Sequence, residues 1–198
     1  MGNKTIIGLV LIVLSVFLIF FCLIRKKEEF FNIRKTVFDH LKVFKHCPSK
    51  YLIFYGFPVM FSVGLAMIYE AGTAFYSELS VVLGIILSML FAILSILSGQ
   101  DYSEVNDETQ KSIAKKVLKE TTNAIVFDSI LSLFLMLYGL VIIVLSGLDN
   151  IEFSFDMTIV KSILSGVAYY LFTVVLLNLL FIVKQMSKII EFNIEVNK

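Results

Sequence analysis

Residues 80–98 read SVVLGIILSMLFAILSILS, nineteen positions without one charged side chain. A helix rises about 1.5 Å per residue, so a run of this length reaches about 30 Å, the thickness of a bilayer's hydrocarbon core. Neighbouring stretches repeat the pattern. Residues 5–24, 51–69, 125–147 and 162–183 are comparably apolar, interrupted only by Asp128 near one end of its run. The chain has 198 residues, of which 58% are apolar and 17% charged, and its mean hydropathy is +0.90. Soluble domains hold about 45–50% apolar and about 25% charged residues. The sequence therefore predicts an all-α, polytopic membrane protein, one membrane domain over residues 1–198 with five transmembrane helices.

The first run does not read as a cleavable leader. It is longer than a signal-peptide core, and Cys22 is followed by Leu23, Ile24, Arg25, Lys26 and Lys27 with no small-residue cleavage site. The expectation is an uncleaved anchor. Of the two cysteines, Cys22 falls in that run and Cys47 in a basic segment, which suggests inert thiols and no disulfide framework.

Basic residues divide unevenly between alternate connections. Residues 25–50, 99–124 and 184–198 hold 15 of the 17 Lys and Arg, whereas Lys4 and Lys161 are the two on the opposite side. Basic loops stay in the cytoplasm. The expected topology, in a bacterial inner membrane, puts the N-terminus outside and the C-terminus inside. Segments 25–50, 99–124 and 184–198 form the cytoplasmic layer.

Two of those segments have helical periodicity. In the first, Phe30, Ile33, Val37, Leu41 and Phe44 recur at three- and four-residue steps, flanked by Arg34, Lys35, Lys42 and Lys45. Such a helix suits the lipid headgroup boundary or the protein's own inner face. In the second, Asp107 followed by Gln110 resembles a capping box. Lys111, Lys115, Lys116, Lys119 and Glu120 surround a thin stripe of Ile113, Val117 and Ala124. This helix projects into water or meets a soluble partner.

Within lipid, helices associate by close packing, and small residues mark the contact faces. Gly84, Ser88, Ala92, Ser95 and Gly99 form a ridge on the third span. Ser132, Gly139 and Ser146 mark the fourth, Ser162, Gly166 and Thr173 the fifth, and Gly8 and Ser15 the first. These faces can pack within one protomer or between copies; the ridge on the third span is expected to pack within the protomer, and a homo-oligomer through small-residue faces is expected as well. Pro58 lies mid-span and predicts a kink over residues 54–58, because it removes a backbone donor and clashes with the preceding turn. Asn178 is the deepest strongly polar residue and is expected to make an interhelical hydrogen bond, while Asp128 sits where it can reach the interface. Tyrosines near span ends, including Tyr69 and Tyr76, read as interfacial belt residues.

No catalytic constellation is present: His40 and His46 are six apart, and H-E-x-x-H, P-loop and G-x-G-x-x-G patterns are missing. Neither a catalytic residue, a metal nor a cofactor is expected, and the net charge of +1 gives no reason to expect direct nucleic-acid binding. The reading is a non-enzymatic, oligomeric membrane subunit that touches lipid and a cytosolic protein. The alternative is a transporter or channel component. In length, span layout and basic inner segments such as 25–50 and 111–119, the chain resembles the membrane component of Kiwa-type bacterial anti-phage systems. That resemblance implies an inner-membrane protein that senses infection and works with a cytosolic DNA-binding partner. It carries over no functional residue.

Overall fold

The computed structural model describes residues 52–100, 107–147 and 157–196. The first predicted span, the basic segment 25–50 with Arg34, Lys35, Lys42 and Lys45, both cysteines and both histidines lie outside the described residues.

The described residues are helical apart from short turns, with no strand among them. A π-helical turn, Leu52–Gly56, runs into α1, Phe57–Ile68; α2 covers Thr73–Ser98, α3 Glu108–Ser146 and α4 Met157–Val196. The helices α2, α3 and α4 are long and apolar enough to cross a membrane, while the stretch Leu52–Ile68 is a shorter apolar helix. In space the order is α2, α3, α4, α1, each packed on the next.

Pro58 explains the change at the start of α1. It occupies the first turn of the α-helix, immediately after the π-turn. A proline cannot donate to the preceding turn, and its ring presses on the carbonyl four residues back. Widening that turn to π geometry relieves the clash. The predicted kink region 54–58 is thus a change of helical type.

The longest helices extend beyond their apolar runs. α3 has 39 residues and α4 has 40; each is about 60 Å long, twice the hydrocarbon thickness. The polar stretch 108–124 is continuous with the span that follows, since neither Gly nor Pro interrupts the chain from Glu108 to Tyr138. Asp107 begins α3 as expected, accepting hydrogen bonds from the backbone N–H of Thr109 (2.8 Å) and Gln110 (3.4 Å).

The buried positions follow a seven-residue repeat. Ala114, Thr121, Ile125, Asp128, Ser132, Leu135 and Gly139 form the inner line of α3, and Ala168, Val175, Asn178, Ile182, Gln185 and Ile189 that of α4. α2 contributes Tyr76, Leu79, Leu83, Ile86, Leu90 and Leu97. Steps of three and four residues keep one seam facing the neighbour, as in a left-handed coiled coil.

Candidate functional site

At the end of the bundle carrying the 69–72 connection, backbone and tyrosines tie the four helices together. Ser165 on α4 accepts a hydrogen bond from the Ala71 N–H at 3.0 Å and donates to the Lys161 carbonyl at 2.9 Å. The Tyr169 hydroxyl donates to the Tyr69 carbonyl at 3.3 Å, and Tyr138 on α3 donates to the Leu164 carbonyl at 2.8 Å. Phe75 packs edge-on against Tyr169, and Tyr76 against Tyr138. Tyr76 is 1% exposed. It is an interhelical wedge and not a belt residue, because Gly139 leaves room for its ring on α3.

Midway along, the α3–α4 seam turns polar. Thr121, Asp128 and Ser132 from α3, and Asn178 from α4, are all at 0% exposure; Gln185 on α4 is 5% exposed. Asp128 therefore does not reach an interface, as its place near the span end suggested. Its position in the seven-residue repeat turns it onto α4, where its carboxyl meets the Asn178 amide. The two groups face each other without full hydrogen-bond geometry at either carboxyl oxygen. The Ser132 hydroxyl likewise lacks a partner there. Other helical hydroxyls behave differently: Ser80, Ser88, Thr121, Ser165 and Thr173 each bond the carbonyl four residues back.

Beyond the apolar runs, α3 and α4 continue side by side as a stalk. Ala114 is buried against Leu118 and Phe192, and Asn193 donates to the Gln100 side-chain oxygen at 2.8 Å. Lys115, Lys116, Lys119, Lys184 and Lys188 are exposed on it, while Lys111 is half-buried and pairs with Glu108 at 3.5 Å. A shallow groove of about 120 Å³ runs between Ile113, Val117, Lys188 and Phe192.

The predicted packing residues divide. Ser132 and Gly139 are buried at the α3 seam, whereas Ser146 is exposed. Gly166 lies at the α4–α1 contact, where an added Cβ would come 3.5 Å from the Ala66 Cβ; Ser162 lines the open apolar groove beside it. On α2, Ser88, Ala92 and Ser95 are exposed and Gly84 has open space beside it. Among the described residues, that ridge faces away from α3. At the α2–α3 contact, small meets large: Gly139 of α3 leaves the room that the Tyr76 ring of α2 fills.

The sequence reading missed the Asp128–Asn178 pairing and the tyrosine ties. The seven-residue spacing from Thr121 through Asp128 to Leu135 was the available signal for the first. Among the described residues, no group of three or more His, Cys, Asp or Glu side chains gathers in one place. No protein-family model matches this sequence, and neither a similar curated protein nor a similar solved structure was found.

Proposed function

We propose that the chain is a non-enzymatic membrane subunit that self-associates in a bacterial inner membrane and presents a basic helical stalk to a soluble cytosolic partner. One observation carries the reading: α3 and α4 both continue past their apolar runs, stay paired, and expose Lys115, Lys116, Lys119, Lys184 and Lys188. From residue 111 to 119 and at 184 and 188 the ionisable side chains are all lysines, a patch that suits recognition of an acidic protein surface, although Asp107, Glu108, Glu120, Glu191 and Glu195 bring the stalk as a whole close to neutral. The proposed topology has five spans, an outer N-terminus and an inner C-terminus, which places the stalk and 15 of the 17 basic residues in the cytoplasm. The outward ridge of Gly84, Ser88, Ala92 and Ser95 is then available to a second copy. The layout resemblance to Kiwa-type membrane components makes an anti-phage sensor or anchor the biological setting proposed for such a subunit.

Affinity capture of the full chain from mild detergent tests this reading. A stoichiometric cytosolic protein, lost when Lys115, Lys116 and Lys119 are changed to Glu, is the expected result. A lone monomer under those conditions contradicts it. A second reading, a transporter or channel component, is favoured by the buried carboxyl of Asp128, since ionisable groups inside membrane proteins commonly mark ion pathways. Saturable flux into liposomes by the purified chain alone would select it over the scaffold.

A further inference from the structure

Asp128 is a fully buried carboxyl with no charged partner in its surroundings. Along α3, residues 121–146 contain no other charged side chain; Glu120, just over two turns away, is half-buried, and Lys119 beyond it is exposed. Along α4 the nearest charge to Asn178 is Lys184, also exposed. α2 brings no titratable side chain to this contact between Ser80 and Ser98, and the turn before α1 brings Tyr55, with a buried hydroxyl, to α4. An ionised carboxylate held in such surroundings is costly unless a cation accompanies it.

Three fully buried side chains along this stretch of the seam carry oxygens suited to a small cation. Ser132 is one helical turn from Asp128 on the same face, and its hydroxyl forgoes the backbone bond that comparable hydroxyls make. The Asn178 amide faces the carboxyl from α4. An amide serves both states of a carboxyl group: its oxygen accepts from a protonated acid or ligates a metal ion, and its N–H groups donate to a carboxylate. One carboxylate is balanced by one positive charge, so a divalent ion would leave a buried surplus.

We propose that Asp128, Ser132 and Asn178 form a binding site for one monovalent cation, a proton or a sodium ion, at the α3–α4 seam, and that its occupancy controls how firmly the two long helices pair. The bound cation neutralises the carboxylate and tightens the seam. Its departure leaves a charge between the helices that draws in water and loosens them toward the stalk. The inference rests on the seam itself and not on the identity of any soluble partner.

The full chain in detergent micelles is treated with dicyclohexylcarbodiimide, which attacks carboxyl groups in apolar settings, and labelling of Asp128 is read by mass spectrometry. Labelling that falls as pH rises, indifferent to sodium, identifies the proton. Labelling that falls when sodium replaces choline at constant pH identifies the sodium ion. The thermal unfolding midpoint should follow the same titration, shifting by several degrees in the wild-type chain and losing that response in D128N. D128E should keep the response with a displaced midpoint, and N178L should weaken it. Wild-type labelling and unfolding that ignore both pH and sodium overturn the proposal, as does a D128N protein with the full wild-type response. If D128N does not fold, wild-type labelling decides.

Discussion

Gly139 on α3 lies against the Tyr76 ring of α2: a Cβ added at Gly139 would sit 3.5 Å from Tyr76 Cδ1 and 3.6 Å from its Cβ. Those are ordinary contact distances, so one methyl group fits and a branched side chain does not. G139A should fold with unchanged or slightly raised stability, since alanine favours a helix over glycine by about 1 kcal/mol. G139L overfills a packed seam and should cost about 1–3 kcal/mol. Thermal unfolding of the two variants in the same detergent checks the order. A leucine variant as stable as wild type would contradict the α2–α3 contact.

Ser165 and Tyr138 supply the next expectation. S165A removes the acceptor of the Ala71 N–H and should cost about 1–3 kcal/mol through an unmatched donor, whereas S165T retains the oxygen. Y138F loses one hydrogen bond to the Leu164 carbonyl and should cost about 0.5–1.5 kcal/mol. The two bonds meet on consecutive residues of α4, so the double variant should depart from additivity. A double-mutant cycle on unfolding free energy measures that departure.

These contacts show where sequence reading stops. The apolar runs identify the helices long and apolar enough to cross a membrane because charge and length act residue by residue, and Asp107 marks the start of α3 because a cap is local. Choosing a contact face is different. On α2 both faces are apolar: Leu83 and Leu90 are fully buried, while Val81 and Ile85 are exposed. Hydropathy cannot separate them, and the partner's side-chain size decides. The polar stretch 108–124 looked like a separate layer because charge was read as a boundary. Backbone continuity depends on helix breakers, and none lies there. Depth along the helix alone points Asp128 to the water interface. Its angular position, which the seven-residue spacing encodes, turns it inward.

The outward ridge of α2 separates folding from assembly. Gly84→Leu and Ala92→Leu add bulk where Gly84 meets nothing within 4 Å and Ala92 is exposed. Exposed substitutions of this kind change stability by about 0.5 kcal/mol or less. If copies associate through this ridge, the pair of substitutions should reduce the oligomer to a monomer at unchanged unfolding temperature. Light scattering behind size-exclusion chromatography reads the mass. An unchanged mass removes this ridge as the contact between copies.

The stalk can be tested from both of its sides. Ala114 is 5% exposed against Leu118 and Phe192. A114D puts a carboxylate into that contact and should release residues 108–124 from residues 184–193 while leaving the span portions of α3 and α4 paired. Hydrogen exchange should show lost protection in those two segments and retained protection at Leu135 and Val175, both buried in the main core. The triple change of Lys115, Lys116 and Lys119 to Glu acts on the opposite, exposed side and should leave exchange across the stalk as it was. Under the proposed function both variants lose the soluble partner, the first because its helices no longer stay paired and the second because its charge is reversed. Partner capture that survives the charge reversal but not A114D would assign recognition to the groove of Ile113, Val117 and Phe192. Capture that survives both would place the partner's contact elsewhere on the chain.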